Sequence, residues 1–342
     1  MKKWLKWEFW PFWFFYIPVY VKYLWLSLKA GTMTFFTASN PLMEFGGFTD
    51  YSKYNVLKSI HKDYLPETHF LAQATLKKTK ELVQRENLKF PFIIKPDKGE
   101  RGFGVEKINH WQDLENYFNI PQELGDLILQ EYVDFPLELG IMYSRKASEN
   151  SGKITSVVLK EFLSVTGNGS STLLEIIETD PRASYYLESL KKIYASELEI
   201  ILGQGIKKEL VAIGNHCRGT TFLNANHLIN EQLHTVFDKI SLSIDGYHFG
   251  RYDLRVPSLE DLYAGKNIKI MELNGAASEP AHIYDPQMKL TDAYSHLFGH
   301  WQRLYEISIE NNKNGIHFEK IGKLFYAIKN RGNFKKQINK NK

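Results

Sequence analysis

Two stretches decide the fold: GRYDLRV at residues 250–256 and IMELNG at residues 270–275. In both, polar and apolar side chains alternate, which is the period-two pattern of a β-strand with one buried face. The polar side chains that share a face are Arg251, Asp253 and Arg255 in the first stretch and Glu272 and Asn274 in the second. Because such a face needs a ligand or charged partners, we expect two neighbouring strands that border a functional site.

The oxygen-bearing side chains of these strands suit a hard divalent cation. Mg2+ takes one or two carboxylates in proteins and completes its shell with phosphate oxygens and water. Asp253, Glu272 and Asn274 are therefore predicted to hold Mg2+, with Mn2+ as a substitute. Arg251 or Arg255 would neutralise a transferring phosphoryl group or hold a carboxylate with its guanidinium. A salt-bridged sheet surface is the alternative interpretation.

A second motif combines a lysine with closely spaced glycines. FPFIIKP at residues 90–96 predicts a strand that ends near Lys95, and residues 105–108 predict its hairpin partner. The glycines of the intervening loop are Gly99, Gly102 and Gly104. Without side chains, the loop can bring backbone amides close to a polyphosphate, while the lysine adds a positive charge. A purely structural hairpin is the alternative.

Composition narrows the class of protein. The chain has 342 residues, a formal net charge of +4 and one cysteine, Cys217. The small charge argues against a dedicated nucleic-acid-binding protein, and one cysteine excludes an internal disulfide or a cysteine-based zinc cluster. We therefore expect a cytoplasmic protein. A Cys217 nucleophile is disfavoured, because the neighbouring His216 would point to the opposite face of a strand.

Aromatic residues are concentrated at the N-terminus. Residues 1–28 contain five of the seven tryptophans, three early lysines and the prolines Pro11 and Pro18. This pattern favours an anchor on the cytoplasmic face of a membrane, with rings at the headgroup level and lysines near anionic lipids. The alternatives are a helix pair packed on the body, a homodimer interface or, less favoured, a spanning helix.

The remaining patterns mix helices and strands, which predicts an α+β fold. Residues 32–39 predict a strand, and residues 51–60 and 66–88 predict helices. Antiparallel strands are expected at 127–133, 138–145 and 154–165. The predicted organisation is an aromatic segment at 1–30, a short segment at 31–65, a lobe with the glycine loop at 66–126, a lobe with the metal and substrate site at 127–328, and a basic tail at 329–342.

Taken in order, these motifs resemble the ATP-grasp superfamily, particularly D-alanine-D-alanine ligases, over roughly residues 50 to 310. KEFLSVTGNGSSTLLEII at residues 160–177 is similar to the VxGDGxxTIxELI stretch of cyanophycin synthetases and ATP-grasp amide ligases. The resemblance implies two α+β lobes with ATP between them. It also implies that Lys95 and Lys160 contact ATP phosphates, Glu131, Tyr132 and Val133 line adenine, Glu138 binds ribose, Asp253, Glu272 and Asn274 hold magnesium, and Arg251 faces an acyl phosphate.

The chain departs from D-alanine-D-alanine ligases in two places. The segment after Asn274 lacks their loop for the second amino acid. Only about 20 residues separate the aromatic segment from Lys53, so we do not expect a full N-terminal substrate lobe. The early lysine of those enzymes falls weakly on Lys53. Polar residues in two later loops are the remaining candidates for substrate contacts: Asn215, Arg218, Glu279 and His282. Glu279 or His282 could instead be a base that accepts the amine's proton.

The sequence therefore predicts an ATP-dependent ligase that forms an acyl phosphate, passes the acyl group to an amine, and releases ADP and phosphate. The carboxylate is a small molecule or is linked to a lipid. The alternative is a non-catalytic nucleotide-binding or scaffolding protein at a membrane surface. Turnover separates the two, because only a ligase releases ADP in response to a carboxylate and an amine.

Overall fold

The computed structural model describes residues 6–99, 102–119, 125–211, 214 and 219–339, with 331–339 described by their backbone alone. The chain has a mixed α+β fold with antiparallel sheets, as predicted. The strands are β1 Thr68–Leu71, β2 Phe92–Pro96, β3 Glu106–Ile108, β4 Leu127–Glu131, β5 Leu137–Ser144, β6 Lys153–Glu161, β7 Ser164–Thr166, β8 Lys207–Glu209, β9 Thr221–Asn224, β10 Phe249–Val256 and β11 Lys269–Asn274. The α-helices are α1 Phe12–Phe15, α2 Ile17–Ala30, α3 Lys53–Lys58, α4 Leu76–Arg85, α5 Trp111–Phe118, α6 Leu173–Thr179, α7 Leu187–Ile193, α8 Glu231–Leu242, α9 Leu259–Ala264, α10 Leu290–Lys313 and α11 Ile321–Asn339.

The smaller lobe is built on a four-stranded sheet with the order β1-β4-β2-β3. Apolar residues at alternate positions of β2 and β4, among them Phe92, Ile94 and Leu129, are fully buried against α4 and α5. The hairpin of β2 and β3 pairs Phe92 with Ile108, so the glycine loop lies at its tip. β4 then leads into the linker at 132–136. The predicted lobe boundary after residue 126 therefore differs from the structure, because β4 belongs to the sheet of the smaller lobe.

The larger lobe is built on a five-stranded sheet with the order β11-β10-β5-β6-β9. One face of the sheet forms the main core, where Tyr143, Tyr252 and Ile270 are buried beneath α8 and α9. Because side chains alternate along β10, the residues between its core positions point to the opposite face. That face borders the cavity between the lobes.

The segment from β7 to β8 forms a separate two-stranded sheet with α6 and α7. Thr172 caps α6, with its side chain accepting from the backbone of Glu175, while the Glu175 carboxylate accepts from the backbone of Thr172. This reciprocal capping box begins the helix in the stretch that resembles the amide-ligase motif.

The N-terminal aromatic segment packs on the body of the protein. Pro11 precedes α1 and Pro18 lies in the first turn of α2, positions where a proline costs no helical hydrogen bond. Phe15 and Val19 are buried against Leu297 of α10. Within the described residues, no helix combines the length and the apolar character needed to cross a bilayer.

Three predicted elements differ from the structure. Residues 32–39 contain a buried 3-10 turn rather than a strand, because Phe35 and Phe36 both point into a core beside α10. Residues 68–71 form strand β1 and not the start of a helix, since they pair with β4. Helix α11 continues to Asn339, through residues that were predicted to be a basic tail and not a helix.

Candidate functional site

A cavity of about 950 Å³ lies between the two sheets. The glycine loop and β2 border it on one side, and the polar face of the five-stranded sheet borders it on the other. The N-terminal aromatic segment and the segment after β11 close one end. This volume is in the range of cavities that bind small molecules and nucleotides.

The predicted metal residues lie together at the base of this cavity. β10 and β11 pair so that Asp253 is directly opposite Glu272 and Arg251 is opposite Asn274. Asn274 Nδ2 donates to Asp253 Oδ2 at 2.9 Å, and Tyr51 donates to Asn274 Oδ1 at 3.1 Å. Two carboxylates and an amide oxygen on adjacent strands fit a Mg2+ ion that also uses phosphate oxygens. In the described residues, no group of three or more His, Cys, Asp or Glu side chains is placed to hold a metal, so these side chains would need such oxygens.

Asp253 is held ionised by two cations. Arg251 donates to both of its oxygens, at 3.1 and 3.0 Å, and Lys160 Nζ lies 3.1 Å from Oδ1. Burial alone would raise the pKa of Asp253, but Arg251 and Lys160 outweigh burial and lower this pKa to about 2. The carboxylate is therefore charged throughout the physiological range.

Glu138 forms the next link in the same charge network. Its Oε1 accepts from Lys160 at 3.1 Å, and its Oε2 accepts from Arg255 at 2.8 Å. Arg255 also donates to the carbonyl of Val133 at 2.6 Å. Arg255 thus holds the linker between the lobes. Arg255 also lines the cavity, and its contact with a substrate carboxylate stays a prediction.

Lys95 is buried at the end of β2 and faces the metal residues. Its Nζ donates to Gln130 Oε1 at 2.9 Å and to the carbonyl of Met271 at 3.0 Å. Burial lowers the pKa of Lys95 to about 8, although Glu272 opposes this shift. A phosphate bound here would give the Lys95 ammonium a negatively charged partner.

The glycine loop is described except for residues 100 and 101. Gly99 and Gly102 line the cavity. Gly104 does not, but its positive φ of 67° and its contact with Pro96, which a Cβ would approach at 2.8 Å, explain why a glycine is needed. In the described part of the loop, Gly99, Gly102 and Phe103 therefore border this side of the cavity.

The predicted adenine residues lie at the linker. Glu131, Tyr132 and Val133 all line the cavity. Lys107 lies 3.7 Å from the centre of the Tyr132 ring, and Arg255 lies 5.4 Å from it. The predicted adenine residues are therefore cavity-lining residues, and the Tyr132 ring has two cations near it.

The opposite end of the cavity contains Glu279. Tyr284 donates to Glu279 Oε2 at 2.9 Å, and Tyr16 of the aromatic segment donates to Oε1. Arg251 Nη1 donates to the carbonyl of Glu279 at 3.3 Å. This predicted substrate residue therefore lies beside the residue expected to face the acyl phosphate.

His282 does not reach the cavity, so its predicted substrate contact is wrong. The side chain is fully buried, bonds to Ser156 Oγ at 2.7 Å and packs against His296. Burial lowers its pKa to about 4. Asn215 and Arg218, the other two predicted substrate residues, lie outside the described part of the chain.

Several residues at the site were missed or only weakly indicated. Lys53 Nζ lies 3.9 Å from Glu272 Oε1 and donates to the carbonyl of Gly99. Asp97 accepts from Ser52 at 3.0 Å, which joins the start of α3 to the end of β2. Lys53 was indicated only by its weak match to the early lysine of D-alanine-D-alanine ligases. Nothing local indicated Tyr16, whose partner is 263 residues away in the chain.

Comparisons with known proteins give one family match. The sequence model of the tubulin-tyrosine ligase family matches residues 47–146, which include Lys95 and the glycine loop. This family is ATP-grasp-like, so the match confirms the resemblance to ATP-grasp ligases drawn from the motifs. A search of curated protein sequences finds no match.

Similar solved structures are distant from this chain. VanG D-Ala:D-Ser ligase from Enterococcus faecalis is 15% identical, with a TM-score of 0.42 over 74% of this chain and 61% of that one. A D-alanine–D-alanine ligase from Bacillus anthracis is 14% identical, with a TM-score of 0.43 over 77% and 68%. A bifunctional glutathione synthetase from Pasteurella multocida is 15% identical, with a TM-score of 0.38 over 72% and 36%. The chain spans about three-fifths of the length of the VanG ligase.

Proposed function

We propose that this protein is a Mg-ATP-dependent ligase that phosphorylates a carboxylate and transfers the acyl group to an amine, releasing ADP and phosphate. The observation that carries the proposal is the register of β10 and β11. It sets Asp253 opposite Glu272, beside Asn274 and Arg251, across one cavity from Lys95.

The residues have separable roles in this reaction. Lys95, Lys160 and the backbone of the glycine loop bind the phosphates, while the linker and Glu138 position the nucleoside. A divalent ion held by Asp253, Glu272 and Asn274 would offset the charge of the phosphate oxygens. Arg251 stabilises the negative charge that develops on the transferred group. Catalysis thus consists mainly of positioning and charge neutralisation.

Calorimetric titration with ATP and MgCl2 tests the metal assignment. We expect Glu272→Gln to weaken Mg-dependent binding about tenfold or more, because one carboxylate ligand is lost. Glu272→Gln should disturb the fold less than Asp253→Asn. The Glu272 side chain is 32% exposed, whereas Asp253 pairs with two cations, Lys160 and Arg251. Glu260→Gln, on the exposed surface of α9, is the matched control. Unchanged binding in both Glu272→Gln and Asp253→Asn would remove the assignment.

A turnover assay separates the ligase from a scaffold. ADP release that depends on both a carboxylate and an amine supports the ligase. Nucleotide binding with no ADP release across a broad panel of both substrates would instead favour the non-catalytic alternative.

We also propose that the exposed face of α2 contacts an anionic membrane surface on the cytoplasmic side. Ile17, Val21, Leu24 and Leu28 recur at helical spacing and are 48%, 66%, 50% and 82% exposed. Residues 9–43 contain no Asp or Glu, whereas Lys22 and Lys29 lie over the Trp25 ring at 4.4 and 3.7 Å. An apolar stripe flanked by lysines and tryptophan is typical of helices that lie in a lipid interface.

A further inference from the structure

The two ends of the cavity differ in their charged residues. The end beneath the glycine loop contains the cations Lys95, Lys160 and Arg251, which suit the phosphates of a nucleotide. It also contains carboxylates that pair with these cations or are predicted to hold the metal: Glu138, Asp253 and Glu272. The other end contains Glu8 and Glu279. Glu8 is paired with Arg182 at 3.4 Å. Among the described residues, Glu279 has no ion pair, so it is the carboxylate at this end that a bound cation would neutralise.

Glu279 is held in one position by two hydroxyl groups. Tyr284 donates to one carboxylate oxygen at 2.9 Å, and Tyr16 donates to the other. Part of the side chain stays open to the cavity. Each oxygen keeps a second lone pair, so the carboxylate can still accept a hydrogen bond from a ligand.

Aromatic rings surround this carboxylate. Trp7 stacks on Phe15 at 5.1 Å and lies 6.2 Å from Tyr284, and the rings of Phe12 and Tyr16 stack at 4.0 Å. All five residues line the cavity. Aromatic faces attract cations, and the attraction is stronger where water is excluded. The combination of these rings with one carboxylate favours a positively charged ligand.

Arg251 connects Glu279 to the predicted metal residues. It donates to Asp253 at 3.0 Å and to the backbone carbonyl of Glu279 at 3.3 Å. The backbone of Glu279 is therefore in contact with the residue expected to face the acyl phosphate, and both residues line the same cavity.

We propose that Glu279, Tyr16 and Tyr284 bind the acceptor, a primary amine that arrives as an ammonium ion, and that the N-terminal aromatic segment is a wall of this acceptor site. This inference rests on the proposed ligase function. It assigns to residues 7–16 a role in substrate recognition in addition to any contact with lipid.

Glu279 also acts in catalysis, as the base that accepts a proton from the ammonium. The ammonium transfers one proton to the Glu279 carboxylate, and the amine nitrogen then attacks the acyl carbon. The carbon–nitrogen bond forms as the bond from carbon to the phosphate oxygen breaks, and the electron pair leaves with phosphate. The departing phosphate takes the second proton from nitrogen, which gives the amide, hydrogen phosphate and a protonated Glu279.

The protonation equilibrium of Glu279 agrees with this role. Burial raises the pKa of Glu279 to about 7, and the hydrogen bond from Tyr284 partly opposes that rise. Among the other titratable and charged residues that line this cavity, Tyr16 donates to the Glu279 carboxylate and Arg251 contacts the Glu279 backbone carbonyl. His300 is kept neutral, because burial lowers its pKa to about 3. A base with a pKa near the working pH is efficient in both accepting and releasing a proton.

Hydroxylamine supplies the decisive comparison, because it is largely uncharged at pH 7 and does not need an ammonium site. The full-length protein is screened for ADP release with a panel of carboxylates, using hydroxylamine or n-butylamine as the acceptor. We expect Glu279→Gln to lower the rate with n-butylamine at least tenfold more than the rate with hydroxylamine. Glu260→Gln should leave the ratio of the two rates as in wild type.

If Glu279→Gln lowers both rates by the same factor, or lowers neither, the ratio of the two rates is unchanged. Either result would show a merely structural role and overturn the proposal. If wild-type protein releases no ADP with any pair, the proposed function itself fails and this inference fails with it. Failure of the proposed function is distinguishable from failure of this inference, because it is seen with wild-type protein before any variant is tested.

Tyr284→Phe provides a second test should Glu279→Gln fail to fold. Loss of the hydroxyl donor raises the pKa of Glu279 further, so the rise of kcat/KM for n-butylamine with pH should shift to higher pH. Tyr326→Phe, whose side chain is 69% exposed on α11, is the control. An unshifted pH profile in Tyr284→Phe would contradict a role for Glu279 as the base.

Discussion

Lys95 and Lys160 are both buried lysines, yet their surroundings move their pKa values in opposite directions. Burial lowers the pKa of Lys95 to about 8, since its direct partners are an amide and a carbonyl. Burial also disfavours the charged form of Lys160, but Asp253 and Glu138 outweigh it and raise the pKa above its ordinary value. Lys160 therefore stays protonated, whereas Lys95 would gain a negatively charged partner only when a phosphate binds.

This difference predicts that ATP affinity depends on pH. The protonated form of Lys95 attracts phosphate, so affinity should be full below pH 8 and fall by up to about tenfold per pH unit above it. Titration calorimetry between pH 7 and pH 10 measures the effect. Lys95→Met should bind weakly throughout and lack the decline. An affinity of wild-type protein that is constant over this range would contradict the prediction.

Gly140 is a residue whose lack of a side chain makes the site possible. It lies in β5 directly opposite Asp253, and a Cβ there would be 2.7 Å from Val158 Cγ1 and 3.2 Å from Arg251 Cδ. Gly140→Ala should therefore displace Arg251 and destabilise the fold by about 1–3 kcal/mol. Chemical denaturation and ATP titration measure both effects.

Gly299→Ala is the matched control for this substitution. Gly299 lies in α10 with nothing within 4 Å of an added Cβ, so alanine should leave binding intact and stabilise the helix slightly. A Gly140→Ala variant that behaves like this control would contradict the crowding argument.

At the scale of elements, α2 has two apolar faces with different surroundings. Val19 and Leu26 are fully buried against the body, while Leu24 and Leu28 on another face are exposed. A helix with only one neighbour would normally expose polar residues, so the second apolar face indicates a partner.

Liposome flotation tests whether that partner is a membrane. With vesicles of phosphatidylcholine and phosphatidylserine, full-length protein should float, and the double variant Leu24→Glu with Leu28→Glu should not. Leu242→Glu, at a side chain that is 50% exposed on α8, is the control. If wild-type protein does not float but forms a dimer that the double variant disrupts, the face is a homodimer interface instead.

At the scale of the whole molecule, the aromatic segment is part of the folded body. Phe15, Val19 and Leu26 are each at most 3% exposed. Removing residues 1–28 would lose about 1.5–3 kcal/mol for each such side chain and uncover their partners on α10. We expect a large drop in thermal midpoint and aggregation, measured by differential scanning fluorimetry and size-exclusion chromatography. An unchanged midpoint would mean that the segment is a detachable anchor, independent of the cavity.

Period-two alternation allowed much of the site to be predicted. Asp253, Glu272 and Asn274 were expected on one polar face, and β10 and β11 bring them together. The failure at residues 32–39 has a tertiary cause, since Phe35 and Phe36 are buried next to α10 in a turn. Local alternation does not reveal which element will cover a segment.

What the sequence by itself determined is therefore the mixed α+β fold and the polar strands with their candidate Mg-ATP residues, because the chirality and spacing of the backbone dictate which side chains share a face. Only the tertiary structure decided that Arg255 pairs with Glu138, that His282 is buried away from the cavity and that Tyr16 reaches Glu279. Those contacts join residues far apart in the chain, and they depend on how whole elements pack.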